Sequence, residues 1–322
     1  MKKFGFRMIL TVLIIMTVIQ TAFGAQLLIP GGQVIGLELQ NNTVTVAAFD
    51  DALGSNAIAC GLQVGDRITG INGTPVSCVQ DVKKALAHSD GLADIAILRD
   101  GKVKTLRLSP AITKDGPKLG VYLKEGITGV GTVTWYDPET GSFAALGHSV
   151  SDGSGAPVAM EQGSVFDASV LTVKEGKVGA PGQLMSAVTG ADKIGILHKN
   201  TPQGVFGTAK LTTDAELLPI ASKDQIRTGN ATIRSTVAGD CVQEYSVEIL
   251  KIYANSGKTG RNMLLKVTDP ALLTATGGIV QGMSGSPIIQ DGKLVGAVTH
   301  VLVNDPTTGY GIFIENMLDA AA

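Results

Sequence analysis

Short apolar stretches separated by glycine-containing turns follow one another from residue 118 to the end of the chain. Clear examples are residues 129–135, 169–173, 247–252 and 263–267. Strands of this length with regular turn signals are typical of a barrel or a sandwich. The region spans about 200 residues, which suits two small barrels sharing a cleft as well as one large sheet system. We therefore expect a mainly β protein.

A different pattern occupies residues 30–110. The Gly65-Asp66 turn, a short strand and the Asn72-Gly73 turn predict a hairpin. Apolar residues then recur at helical spacing over residues 79–86, and two further strands meet across Asp100-Gly101. This mixture of strands and one helix predicts a separate α+β domain.

Residues 1–25 have the pattern of an export signal. Positive charges precede an apolar run over residues 8–19, and small residues such as Ala22 and Ala25 follow it. The run is shorter than the roughly 20 residues that span a bilayer, which favours cleavage, although extension through residues 27–29 would give an uncleaved anchor. In either case we expect the rest of the chain to be exported, and to be secreted or membrane-anchored.

Composition argues against two classes of partner. The 322 residues carry a formal charge of −2, which does not indicate the basic surface that binds nucleic acid. No spacing of cysteine and histidine matches a zinc site, because the histidines are scattered at His88, His148, His198 and His300. We therefore expect no nucleic-acid partner, no metal and no cofactor.

The segment Gly282-Met283-Ser284-Gly285-Ser286-Pro287 carries the clearest chemical signal. A serine between small residues is followed by a strand, an Asp291-Gly292 turn and a second strand. The segment resembles the Gly-x-Ser-Gly-Gly-Pro turn of trypsin-like enzymes. Ser284 is then the predicted nucleophile, and the N–H groups of Gly282 and Ser284 form the predicted oxyanion hole. The alternative is a hairpin loop without chemical meaning.

A serine nucleophile needs a base, and His148 is the strongest candidate. It follows an apolar strand that ends in Leu146-Gly147-His148, which places an imidazole at the rim of a rigid element. His198 lies in a polar turn that suggests solvation. His300 follows the strand that leaves the nucleophile hairpin, and we expect it to border a substrate pocket. The substrate backbone is expected to pair beside Ala297, Val298 and Thr299.

Asp269 is the predicted carboxylate that orients this imidazole, because it ends a strand just before the loop that leads to Ser284. The sequence does not exclude four competitors, which are Asp137, Asp152, Asp167 and Asp240. Asp269-Pro270 also has a purely structural interpretation, since aspartate commonly caps a helix whose first residue is proline. Both interpretations are open at this point.

The turns and the helix of residues 30–110 together resemble a PDZ domain of the bacterial protease-associated type. The resemblance implies that backbone N–H groups of one loop hold a peptide C-terminus, which belongs to this chain or to a partner. The bound peptide would add a strand beside the one that follows this loop. The loop residues implied are Val34, Ile35, Gly36 and Leu37.

Leu-Gly-His at residues 146–148, Val-Thr-Asp-Pro at 267–270 and the whole segment 277–311 resemble the SpoIVB peptidases of endospore-forming bacteria. The resemblance covers essentially everything after the signal. It implies a serine endopeptidase with Ser284, His148 and Asp269 as its triad. Members of that family are exported from the forespore into the space between the two sporulation membranes. There they cut a membrane-bound regulator, which leads to activation of a late sigma factor.

The expected architecture is a signal peptide or anchor at residues 1–25, a PDZ domain at 30–110 and a serine peptidase domain at 116–322. The last is expected to be a divergent, trypsin-like double β-barrel, although trypsin-like enzymes place the triad aspartate much earlier than Asp269. Two other functions are open. One is a non-catalytic PDZ scaffold, and the other is a PDZ-containing quality-control peptidase, a class that carries its PDZ domains after the catalytic domain.

Overall fold

The computed structural model describes residues 26–87, 89, 91–151, 155–254 and 260–322. The predicted export signal at residues 1–25 lies outside these ranges. None of the helices within them is both long enough and apolar enough to cross a membrane.

Twenty strands, four α-helices and one short 3-10 helix are formed by the described residues. The first ten strands are β1 (Leu27–Pro30), β2 (Val34–Phe49), β3 (Arg67–Ile71), β4 (Thr74–Pro75), β5 (Ala93–Arg99), β6 (Lys102–Leu108), β7 (Ala111–Thr113), β8 (Gly116–Lys118), β9 (Val121–Tyr136) and β10 (Ser142–Ala145). The others are β11 (Gln162–Lys174), β12 (Gln183–Thr201), β13 (Gly204–Ala209), β14 (Leu218–Pro219), β15 (Gly229–Thr236), β16 (Val242–Ile252), β17 (Met263–Val267), β18 (Pro287–Gln290), β19 (Lys293–Leu302) and β20 (Asp305–Phe313). The helices are α1 (Ser55–Ala59), α2 (Val79–Ala87), α3 (Pro270–Thr276) and α4 (Ile314–Ala321), and the 3-10 helix is Lys223–Gln225.

The first β-barrel is a closed ring of six strands. β9 pairs with β10, β10 with β13, β13 with β12, β12 with β11 and β11 with β2, and β2 returns to β9. Side chains on a strand alternate between its two faces. Ile35, Leu37 and Leu39 of β2 therefore enter the barrel core together, beside Phe143 and Val165.

The second β-barrel closes in the order β15-β16-β17-β20-β19-β18. Ile233, Ile249, Leu265 and Val295 are almost completely buried in its core. The C-terminal helix α4 packs against β19 and β20. The two closed rings confirm the expected mainly β fold with a double barrel.

The α+β module is inserted into the first barrel and does not precede it. β2 and β9 are each 16 residues long and pair with one another along a two-stranded ribbon. Residues 34–39 of β2 pair with β9 inside the barrel, whereas residues 44–49 pair with residues 121–125 beyond it. We call residues 44–125 the PDZ module, because they contain the elements predicted for that domain.

The PDZ module has a hydrophobic core of its own, which includes Val46, Ile68 and Leu86. Asp66, from the Gly65-Asp66 turn, is only 1% exposed. Its carboxylate accepts two hydrogen bonds from the Arg99 guanidinium, each 2.6 Å long. A buried charge requires such a partner, so this pair fixes the turn against β5.

The predicted carboxylate-binding loop at Val34, Ile35, Gly36 and Leu37 is wrong. These residues lie within β2, which has β9 on one side and β11 on the other. Because both edges of the strand are already paired, a peptide cannot add there. The predicted order of domains changes as well, since the chain builds a strand of the first barrel before it enters the PDZ module.

The ribbon passes from the barrel to the PDZ module at Gly126. Opposite this residue, the register of β2 shifts between Leu39 and Val44. Gly126 has a φ of 66°, and a Cβ added to it would lie 2.0 Å from the Leu39 carbonyl oxygen. Only glycine fits this close approach. The position therefore sets the junction between the two units.

Candidate active site

The predicted nucleophile lies in a tight turn, residues 282–287, which we call the nucleophile turn. It leads into β18 of the second barrel but packs against β9 of the first. Gly285 has a φ of 97°, and a Cβ there would lie 2.0 Å from the Thr132 carbonyl oxygen. Glycine is therefore required by both the backbone conformation and the contact between barrels.

Two peptide units of the nucleophile turn are held in fixed orientations. The Gln281 carbonyl accepts a hydrogen bond from the Leu184 N–H at 2.8 Å, and the Met283 carbonyl accepts one from the Ser286 N–H at 3.0 Å. In a trans peptide the next N–H points away from the carbonyl. These are the N–H groups of Gly282 and Ser284, and neither has an acceptor among the described residues. Both N–H groups are therefore available as donors, as an oxyanion hole requires, and the oxyanion hole itself stays a prediction.

The side chains of Ser284 and His148 line one cavity of about 420 Å³. Thr299 and His300 also line it, together with apolar side chains such as Ile279. The Ser284 hydroxyl donates a hydrogen bond to the Thr299 carbonyl at 2.9 Å. The predicted nucleophile and base therefore share one cavity, and the Ser284 hydroxyl bonds to β19 and not to the imidazole.

His148 reaches this cavity because the chain turns sharply after β10. Leu146 and Gly147 both have positive φ, 72° and 69°, and Leu146 is an unusual residue for that conformation. A Cβ on Gly147 would lie 2.9 Å from the Thr299 side chain. The two left-handed residues therefore carry the imidazole from the first barrel to the second.

A backbone carbonyl fixes the tautomer of His148. Its Nδ1 lies 2.9 Å from the Ser149 carbonyl oxygen, and since a carbonyl only accepts, Nδ1 carries the proton. Nε2 is then left as the acceptor that a general base requires. Burial lowers the pKa of His148 below its usual value, and the Ser149 carbonyl opposes this only in part. The imidazole is therefore neutral at neutral pH.

His300 is a second partly buried imidazole beside the first. The two ring centroids lie 5.4 Å apart, and Nδ1 of His300 has no hydrogen-bond partner in the described part of the chain. Burial lowers the pKa of His300 to about 4, aided by the charge that His148 gains when it is protonated and by the charge of Arg261. The site thus disfavours an imidazolium at this position.

We expect this neutral imidazole to make stability depend on pH. The unfolded histidine titrates near its usual pKa of about 6.5, and the folded one near 4. As the pH falls through this window, the unfolded chain binds the proton first, so stability is progressively lost. The urea midpoint of the native chain should therefore fall more between pH 7 and pH 4 than that of His300→Asn. Parallel pH curves for the two proteins would contradict the expectation.

The structure gives Asp269 the capping role and does not place it against His148. Its carboxylate accepts hydrogen bonds from Ala271 and Leu272, at the start of α3, at 2.9 and 3.1 Å. The Ser246 N–H donates a third at 3.2 Å. The N–H group of Leu272, with those of Ser246 and Ala271, holds the pKa of Asp269 below its usual value. The predicted contact with the imidazole is therefore not formed.

Asp269→Ala is expected to lower the free energy of unfolding by about 1 kcal/mol, because it removes a helix cap. Asp269→Asn should lower it by much less, since asparagine caps helices about as well as aspartate. Chemical denaturation of both variants measures the difference, and equal losses would contradict the capping role. A stable Asp269→Asn also allows its turnover to be compared with that of the native chain, which tests the implied triad role separately from folding.

The predicted substrate-binding residues divide into two pairs. Thr299 and His300 line the cavity. Ala297 and Val298 do not, because both are almost fully buried and β19 is paired there with β18 and β20. The prediction that substrate pairs beside Ala297 and Val298 is therefore wrong. Along β19, the first residue that lines the cavity is Thr299.

Two residues that contact the nucleophile turn were not predicted. Thr132 and Thr134 of β9 are completely buried, and their hydroxyl groups donate to the turn's carbonyls. The available signal was two polar residues alternating with Val133 and Trp135 in an apolar strand. Within the described ranges, no three metal-binding side chains come close enough to hold an ion.

Comparisons with known proteins agree on the class of this chain. It matches the family SpoIVB peptidase S55 over residues 115–318 and the family PDZ domain over residues 52–99. No curated protein matches it significantly.

Two solved structures are distantly similar. The crystal structure of Rv3671c protease, inactive form, is 13% identical and covers 59% of this chain and 81% of its own, with a TM-score of 0.35. A mutant of Rv3671c from M. tuberculosis H37Rv, also an inactive form, is 12% identical over 59% of this chain and 78% of its own, with a TM-score of 0.31. The S55 match alone covers more than half of the chain. This protein is a serine peptidase and belongs to the SpoIVB peptidase S55 family.

Proposed function

We propose that this protein is an exported serine endopeptidase of sporulation, with Ser284 as nucleophile and His148 as general base. One observation carries the catalytic part: the two side chains line a single cavity beside the unengaged N–H groups of Gly282 and Ser284. A nucleophile, a base and oxyanion donors are the parts that acyl transfer requires.

The reaction begins when the Ser284 side chain rotates away from the Thr299 carbonyl, its acceptor in this structure. Nε2 of His148 then takes the hydroxyl proton while Oγ attacks the carbonyl carbon of the substrate. The N–H groups of Gly282 and Ser284 receive the oxyanion. His148 returns the proton to the leaving amine, and water hydrolyses the acyl-enzyme with the same base.

The Ser149 carbonyl takes the place that a carboxylate has in a standard triad. It accepts a hydrogen bond from the Nδ1–H group, which keeps the proton on Nδ1 and leaves Nε2 available as the base. It carries no negative charge, so it stabilises the imidazolium less than a carboxylate would. The proposal therefore does not depend on Asp269.

The biological part of the proposal follows family membership. The substrate is a membrane-bound regulator in the space between forespore and mother cell, and its cleavage signals activation of a late sigma factor. The chain reaches that space through the export signal predicted at residues 1–25 and acts there as a secreted or membrane-anchored enzyme. The PDZ module binds a peptide C-terminus, from this chain or a partner, and so brings the substrate close to the catalytic cavity.

Labelling with a fluorophosphonate tests the catalytic part. Such a probe forms a covalent bond only with an activated serine, so the full-length native chain should be labelled and Ser284→Ala should not. The expected adduct lies on the peptide that contains Ser284, as mass spectrometry would show. If both proteins are folded and neither is labelled, the non-catalytic PDZ scaffold is favoured. Cleavage of generic unfolded protein, in preference to a membrane-bound regulator, would favour a quality-control peptidase.

A further inference from the structure

We propose that Thr132 is a positioning residue, which holds the nucleophile turn in the conformation that forms the oxyanion hole. The inference rests on the proposed function, in which Ser284 attacks and the N–H groups of Gly282 and Ser284 receive the oxyanion. Thr132 lies on β9 in the first barrel, 150 residues before the turn that it contacts.

Thr132 makes two hydrogen bonds to the nucleophile turn. Its hydroxyl donates to the Gly282 carbonyl at 2.7 Å, and its backbone N–H donates to the Ser284 carbonyl at 3.2 Å. The Thr132 side chain is completely buried, so water does not compete for its hydroxyl group. One residue thus binds the turn on both sides of Met283.

These contacts determine where the oxyanion donor points. The Ser284 N–H belongs to the peptide unit between Met283 and Ser284, and Thr132 fixes the peptide unit before it and the one after it. The unit between them is held directly by the hydrogen bond from the Ser286 N–H to the Met283 carbonyl, and fixed neighbours on both sides leave that bond less freedom to shift. Thr132 therefore supports the direction of the Ser284 N–H from both flanking units, without contacting substrate.

The same residue also reaches the segment that carries the base. Its carbonyl accepts a hydrogen bond from the Leu146 N–H at 3.2 Å, two residues before His148. Leu146 has a φ of 72°, a conformation that a non-glycine residue adopts only when its surroundings impose it. Thr132 is thus hydrogen-bonded both to the nucleophile turn and to the segment 146–148, which carries His148.

The hydroxyl is the part of Thr132 that substitution can isolate. Thr132→Val keeps the shape of the side chain and leaves the Gly282 carbonyl without that donor. The turn is then expected to rotate this carbonyl toward another donor, which moves the adjoining N–H groups. Thr132→Ser restores the hydroxyl and removes only a methyl group.

Thr134 provides a matched control on the same strand. It is equally buried, and its hydroxyl donates to the Gly285 carbonyl of the same turn at 2.8 Å. The Gly285 carbonyl lies after the oxyanion donors, at the point where the turn enters β18. Thr134→Val therefore removes a similar hydrogen bond without releasing Gly282.

The test measures the maximal rate of fluorophosphonate labelling and the apparent affinity for the probe, together with the thermal midpoint of each full-length variant. The tetrahedral adduct places an oxygen in the oxyanion hole, so the maximal rate reports the position of the donors. We expect Thr132→Val to lower this rate about 10²-fold, the size of effect that a small misplacement causes. The affinity should change little, and Thr132→Ser should recover most of the rate.

The control decides between positioning and general stability. Thr134→Val should lower the thermal midpoint about as much as Thr132→Val and keep a labelling rate close to native. Equal rate losses in the two valine variants, or no recovery in Thr132→Ser, would overturn the inference while the labelling of the native chain at Ser284 stands. Absence of labelling in the native chain would overturn the proposed function, and this inference with it.

Discussion

Ser284→Ala is expected to lower turnover of a peptide substrate by about 10⁶-fold, the loss seen when a serine peptidase loses its nucleophile. Alanine has no atom that can form the acyl-enzyme, so only catalysis from binding and the oxyanion hole remains. The fold should tolerate the change, because Ser284 is partly exposed and its hydroxyl bonds to the Thr299 carbonyl. Steady-state kinetics and a thermal scan on the same preparation measure both effects.

Ser286→Ala is the matched control, two residues further along the turn. Ser286 is completely buried, and its hydroxyl donates to the Ser235 hydroxyl at 3.1 Å. Its loss should cost about 1 kcal/mol of stability while turnover stays close to native. Turnover of Ser284→Ala within tenfold of native would mean that another group attacks the substrate.

His148→Ala should lower turnover nearly as much as Ser284→Ala, because the serine hydroxyl is a poor nucleophile until a base takes its proton. The two losses are not expected to add. A double variant, Ser284→Ala with His148→Ala, should be about as slow as either single variant, since the residues act as one unit. Kinetics of the three proteins form the measurement.

His198→Ala is the control for the loss of an imidazole. His198 is exposed and makes a hydrogen bond to the Thr208 hydroxyl at 3.1 Å, away from the cavity residues. Its removal should leave turnover unchanged. If the losses in the double variant multiply instead, Ser284 and His148 act independently and the proposed proton transfer between them is wrong.

Local features of the fold could be predicted because their causes lie within a few residues. Asn72-Gly73, Asp100-Gly101 and Asp291-Gly292 all form the tight turns expected of them, and both residues of each pair have positive φ. Asparagine, aspartate and glycine tolerate that conformation, and it matches the twist of a hairpin. The Asp269-Pro270 cap was recognisable for the same reason, since its acceptor and donors are within three residues.

The insertion of the PDZ module could not be predicted, because it depends on distant pairing. The alternation of Ile35, Leu37 and Leu39 shows which side chains share a face of β2. It does not show that their neighbours are β9 and β11, whose paired residues lie about 90 to 130 positions further along. The implied PDZ loop failed here for this reason.

In the candidate site too, residues recognisable from local motifs differ from those whose contacts depend on distant parts of the chain. Ser284 and His148 were recognisable from short motifs, because the chemistry requires a particular residue between small neighbours. Asp269 was ambiguous, since a carboxylate before proline serves a cap as well as a triad. Thr132 was not predicted, because its contact with the nucleophile turn exists only once the two barrels are together.

The ribbon at Gly126 also makes the PDZ module exchangeable as a single segment of the chain. Leu39 and Ile127 are direct cross-strand partners, so the chain leaves and re-enters the first barrel at positions about 5 Å apart. A recombination event that exchanges everything between them preserves barrel closure, strand order and the nucleophile turn. The inserted module can therefore be replaced by another while the two barrels keep their pairing.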